Sequence, residues 1–171
     1  MNNLIVNVEY IKNNSTVSDN LNDNILTPII QDVQMTKLLP ILGESLYNKV
    51  MNLIETNTIE GTMYNILYER FIQIYMLYAV QAELTITNYQ HQHNAGSVQY
   101  VDTNYNNIQI NEIKYFKQHW DSKASVYGER MTNYLIANSS DFPEYRDYES
   151  GEVQSSDSAN MYWSGLCLGK R

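Results

Sequence analysis

Apolar positions in this chain recur at steps of three and four over most of its middle, the spacing that gathers side chains on one face of a helix. Ile25, Ile29 and Val33 fall four apart, with Ile30 and Leu38 widening the stripe toward Leu39 and Pro40. This predicts a first helix, with Thr27 as its cap and Pro28 in its opening turn, where a missing N–H is tolerated. Pro40 is expected to kink or end that helix, because its ring clashes with a carbonyl one turn back, and Gly43 completes the break. A second helix near Glu44 to Thr56 carries Leu46, Tyr47, Val50, Met51 and Ile54, and Gly61 marks the next turn. The third, about Thr62 to Asn88, spreads Met63, Ile66, Leu67, Phe71, Ile74, Leu77, Tyr78 and Leu84 over a wide face. So broad an apolar surface belongs to a central helix. The fourth, about Asn111 to Asn138, steps through Ile113, Phe116, Trp120, Ala124, Tyr127, Met131 and Tyr134. Asn111 suits its N-cap, and Glu112 suits the positive end of the helix. Trp120 and Phe71 are read as core residues.

Outside this middle the periodicity fails. Residues 1–22 hold a β-like run, Leu4 to Val8, and then the polar stretch from Asn13 to Asn24, and are read as an N-terminal arm. Between Tyr89 and Gln109 the segments Ser97–Val101 and Asn107–Ile110 alternate like strand pieces, predicting a small hairpin or protruding loop near 89–110. After Phe142 and Pro143 comes an acidic stretch with Asp141, Glu144, Asp147, Glu149, Glu152 and Asp157 that cannot form its own core. The chain then carries an apolar plug, Met161, Tyr162, Trp163, Leu166 and Leu168, ahead of Lys170 and Arg171. An apolar tip on a polar tether needs a surface to dock against, either a neighbouring molecule or the subunit's own helices. The expectation is a mainly α fold: a small bundle of about four helices over 23–143, with a β-like loop insertion, an N-terminal arm and an extended docking tail over 144–171.

Composition narrows the chemistry. The chain has 171 residues and a formal net charge of -8, with only 11 Lys and Arg, which opposes direct binding to phosphate backbones. With 43% hydrophobic residues and a mean hydropathy of -0.43, it is expected to be globular and soluble. The first ten residues lack the features of a secretory signal, and no segment approaches the ~20 apolar residues that span a bilayer. The single cysteine, Cys167, forms no internal disulfide and has no Cys-His motif around it. His91 and His93 stand two apart in a loop and His119 lies far off on a helix, without the four-ligand spacing of zinc. Neither GxGxxG nor GxxxxGK[ST] occurs. Glu69, Glu83, Glu112 and Glu129 read as solvated helix faces. No catalytic, metal or cofactor residue is therefore assigned, and an enzyme is not expected. The 15 tyrosines against 3 phenylalanines suit wet or shared surfaces, although an AT-rich genome gives the same bias.

Two stretches carry a family resemblance. The run after Leu21, NDNILTPIIQDVQMTKLLPILGESLYNKVM, sets an ILG turn between two helices and follows it with LY; the region Tyr127 to Tyr145 contains YLIANSSDFPEY. With the Tyr-rich central helix between them, they resemble the head-tail connector proteins of tailed bacteriophages, especially the adaptor-ring proteins of crAss-like Bacteroidetes phages. The resemblance covers roughly Leu21 to Tyr145, and the terminal WSGLCLG segment is similar more weakly. It implies a virion protein made in the host bacterial cytoplasm, a dodecameric homo-oligomeric ring at the neck, and contacts with the portal protein and a downstream tail or second ring protein. DNA would pass through the lumen without specific binding, and no membrane is involved. Two alternatives stay open: a tail-terminator or stopper protein of the same junction, and a small helical enzyme or regulator using the 89–109 loop.

Overall fold

A computed structural model describes residues 4–16, 21–89, 92–93, 96–97 and 110–146, and among these the fold is mainly α, a small helical bundle. A short helix α1 (Val8–Asn14) leads into a rod made of α2 (Asp23–Val33), a wide π turn (Gln34–Leu38) and α3 (Leu39–Leu42). The second rod is α4 (Glu44–Glu55). The third runs from α5 (Met63–Leu67) through another π turn (Tyr68–Ile72) into α6 (Gln73–Tyr89), and the fourth is α7 (Ile110–Ala137). α8 (Pro143–Arg146) closes the described chain. Between α6 and α7, β1 (Gln92–His93) pairs antiparallel with β2 (Gly96–Ser97); most of the predicted 89–110 loop lies outside the described residues.

Pro40 does not end the first rod. Leu39 N–H donates to the Gln34 carbonyl five residues back, so the turn has already widened where Pro40 brings no donor of its own, and the helix continues to Leu42. The break falls at Gly43, whose φ of 74° disfavours any side chain. Its N–H caps the Leu39 carbonyl at 2.9 Å and its own carbonyl accepts from Tyr47 N–H at 3.0 Å, which joins two helices through one residue. Pro28 sits inside α2, since the capping residue is Asn22 and not Thr27.

The N-terminal segment is not a polar arm. Ile5, Val6 and Ile11 are fully buried in the main core; the expected β-like run is irregular from Leu4 to Asn7, and α1 begins at its last residue, Val8. The tie that holds it is polar: Ile5 N–H donates to Gln34 Oε1 at 2.8 Å, while Gln34 Nε2 donates to the Tyr47 hydroxyl. Gln34 itself is buried, so one amide joins the N-terminal segment, the first π turn and α4.

α6 and α7 pack antiparallel at the centre. At Gly128 an added Cβ would stand 3.3 Å from a ring carbon of Tyr75 and 3.6 Å from Ile41 Cδ1, so any side chain at this crossing would have to push the Tyr75 ring back by a few tenths of an ångström. Behind it lie Met131, Leu135 and the fully buried Phe142, whose ring meets Tyr64 edge-on at 5.4 Å and Tyr134 at 5.8 Å. Tyr64 donates to Glu144 Oε2 at 2.6 Å, which pins α8 to the bundle, so Glu144 belongs to the bundle and not to the docking tail expected over 144–171. Several stripe members face outward instead of inward: Ile25, Met63, Ile66 and Phe116 are exposed. Trp120 and Phe71 are half-buried, each stacked on a tyrosine at the edge of the core rather than within it.

Replacing Gln34 with Leu keeps the volume but strands the Ile5 N–H and leaves the Tyr47 hydroxyl only its long bond to Met35 Sδ at 3.9 Å, and an orphaned buried group costs ~1–3 kcal/mol. Urea denaturation of Gln34→Leu should therefore show a stability loss of about 1–3 kcal/mol, together with faster proteolysis before residue 22. An unchanged midpoint would mean that the N-terminal segment is held by its apolar contacts alone.

Candidate interaction surface

Where α6 leaves the core, four charges from three elements close a ring. Lys37 Nζ stands 2.7 Å from Glu83 Oε1 and 3.3 Å from Asp121 Oδ1; Lys117 Nζ stands 3.2 Å from Glu83 Oε1 and 2.9 Å from Asp121 Oδ2. The signs alternate, so each charge has two opposite neighbours. Partial burial works against ionising Glu83 and Asp121, but the hydrogen bonds and positive charge of the two lysines outweigh it and hold both carboxyls below their ordinary range. Lys37 is likewise disfavoured by burial, yet Glu83 and Asp121 raise it above the usual lysine value. The cluster ties the first π turn to α6 and α7. It is a clamp, with every charge already answered.

The surface of α7 differs. Phe116, Trp120, Lys123, Tyr127, Arg130 and Tyr134 follow alternating steps of four and three, forming a band that is half-buried along one side and open along the other. Tyr78 of α6 extends it, stacked on Trp120 at 6.0 Å and tilted against Tyr127 at 5.6 Å. The cations lie over the rings: Lys123 Nζ is 4.5 Å from the Trp120 centroid and 5.3 Å from that of Tyr78, and the Arg130 guanidinium is 5.3 Å from Tyr127. Among the described residues neither Lys123 nor Arg130 has a carboxylate within ion-pair distance. Beside the band, the outward face of α7 exposes Tyr115 at 68%, Val126 at 46% and Ile136 at 49%. At 3.6 residues per turn these three share one side of the helix.

The residues singled out in the sequence do not converge. His119 is exposed on α7, edge-on to Trp120 at 5.0 Å. His91, Cys167 and the plug residues Met161, Tyr162, Trp163, Leu166 and Leu168 lie outside the described residues, as do the side chains of His93 and Glu112. Glu69 and Glu129 are exposed on separate helices, and Glu83 belongs to the clamp. Among the described residues no group of three or more His, Cys, Asp or Glu could hold a metal ion, and no helix is long and apolar enough to cross a membrane. The band was missed because its aromatic members sit at core-like spacing. The signal that distinguishes it is the placing of Lys123 and Arg130 within that same spacing.

The clamp makes a pH prediction. Carboxyls whose folded pKa is depressed add stability above their unfolded pKa and lose it as pH falls through the folded value; a raised lysine adds stability below its unfolded pKa and loses it at strongly alkaline pH. The contribution is thus present at neutral pH and fades on both flanks. Because all four groups are partly exposed, each pair adds only about 0.2–1 kcal/mol. Denaturation midpoints of Glu83→Gln/Asp121→Asn should be lower than wild type at pH 7 and converge toward it in acid, and a gap independent of pH would remove the clamp as its source.

Comparison with curated proteins and with solved structures finds no match to this chain. A family model does match over residues 38–155, which spans α3 to α8 and so holds the α6–α7 pair and the band. That is more than half of the chain, and the protein belongs to this family, DUF6712, a family of unknown function.

Proposed function

We propose that the protein is a structural component of a phage virion that forms an adaptor ring between the portal and the tail at the capsid vertex, without enzymatic activity. The observation that carries this reading is the outward side of α7, where Tyr115, Val126 and Ile136 stand in water on the longest helix of the bundle. Large apolar side chains spaced about 15 Å apart on one broad side of a rigid helix give a subunit separate points of contact with a neighbour. A ring needs contacts between two different faces of adjacent copies, and the bundle has a second outward apolar position set in Ile25 and Met35 on the first rod. The resemblance across Leu21 to Tyr145 falls on the same rods. Charge is compatible too: a chain of net charge -8 repels a duplex sliding through a lumen.

In this reading the bundle is the wedge of the ring, and the plug of Met161, Tyr162, Trp163, Leu166 and Leu168 engages a neighbour or the portal. Ordering such a tail costs conformational entropy, so a weak contact between subunits is completed on the portal as template. Purified protein mixed with portal should give particles in electron micrographs with a ring matching the portal's symmetry. Deleting residues 147–171 should preserve helical circular dichroism, because α8 and Phe142 remain, while weakening the ring. Binding only to tail-side proteins would make it a stopper of the same junction, and absence from virions would end the connector reading.

A further inference from the structure

The aromatic and cationic band on α7 has a matching segment in the same chain. Immediately after α8 the sequence carries Asp147, Glu149, Glu152 and Asp157, with no Lys or Arg until Lys170, and Tyr148 lies among them. The band offers Lys123 and Arg130, which no described carboxylate meets, set among Phe116, Trp120, Tyr127 and Tyr134. We infer that the acidic segment 147–157 straps along this band of its own subunit and thereby aims the apolar plug that follows it.

Three observations carry the assignment. The first is where the chain leaves the bundle: Phe142 packs 5.8 Å from Tyr134, the last residue of the band, and only the one-turn α8 stands between Phe142 and the segment, which therefore starts within one helical turn of the band's end. The second is length. From Tyr134 back to Phe116 the helix rises ~27 Å, and eleven extended residues span about 36 Å, enough to follow the band and deliver the plug near the start of α7. The third is spacing. Arg130 and Lys123 are separated by ~10 Å along the helix, and Glu149 and Glu152 would share one side of a polyproline II strand, with three residues per turn, about 9 Å apart. Tethering raises the effective concentration of the segment to roughly millimolar, so two modest ion pairs and a stacked tyrosine suffice. Nucleic acid, the other ligand that aromatic and cationic surfaces accept, is disfavoured by the net charge of -8. The strap stands independently of the ring: it concerns one subunit, whatever that subunit assembles with.

The test uses the full-length chain with a photo-cross-linking benzoyl-phenylalanine in place of Tyr148. Irradiation of a mixture of isotopically light and heavy protein, followed by peptide mass mapping, should place the cross-links within residues 116–134, between peptides of the same label. Lys123→Glu/Arg130→Glu should cut their yield by roughly fivefold or more. Glu149→Lys/Glu152→Lys, which leaves the bundle untouched, should do the same, and combining the two pairs should restore it. Cross-links elsewhere, cross-links joining only different labels, or a yield indifferent to either charge reversal would overturn the strap.

Discussion

The antiparallel crossing of α6 on α7 is the contact around which the other elements are arranged. Tyr75, Met76, Leu77, Ala79, Val80, Ala82 and Leu84 are all buried, and residues so close in sequence point around the whole circumference of a helix. A helix buried on every side has to be covered by several partners. α7 covers one side, with the Tyr75 ring packed tightly over Gly128. The first rod covers another, and residue 16 reaches a third, where the Thr16 hydroxyl donates to the buried Gln81 at 3.0 Å. Where α6 meets partly solvated surroundings at Glu83, two lysines from the covering elements meet it.

That enclosure explains why the rods were legible and the cover was not. Steps of three and four located all four rods close to their observed ends, because burying one face of a long helix writes itself into many positions. The N-terminal segment gives no such signal. Leu4 to Val8 is rich in β-branched residues as a strand is, and α1 is too short for a helical period to emerge. What places Ile5 in the core is an amide 29 residues away, on a π turn that no local pattern announces. Pro40 misled for a related reason. Its missing donor breaks an ordinary helix, but a turn already widened to five residues absorbs it, and the stop passes to Gly43.

The surface was less legible than the fold, since aromatic spacing does not distinguish the core from its margin. Ala124, Gly128, Met131 and Leu135 form the inner side of α7, while Trp120, Tyr127 and Tyr134 lie one step around the helix and are covered on one edge only. A 3.6-residue period assigns both sets to one broad apolar face. Charge resolves them, because Lys123 and Arg130 could not occupy the inner side unpaired. Their places mark where protein ends and solvent, or another segment, begins.

The tyrosine excess takes on a structural meaning from the same margin. Tyr10, Tyr64, Tyr68, Tyr78, Tyr127, Tyr134 and Tyr145 are all partly buried against the core, with Tyr115 standing apart as an outward exception. A phenol there buries its ring and leaves its hydroxyl at the boundary, where Tyr64 uses it to hold Glu144. Burial, then the adjoining Glu144, pushes the Tyr64 hydroxyl far up in pKa, so that bond persists as a neutral donor on a carboxylate throughout ordinary conditions. Much of the tyrosine content is thus accounted for by the edge of a thin bundle with a great deal of margin for its core. What favours an interface is therefore geometry, Tyr115, Val126 and Ile136 exposed on a rigid helix whose Lys123 and Arg130 meet no carboxylate among the described residues, and not how often tyrosine occurs.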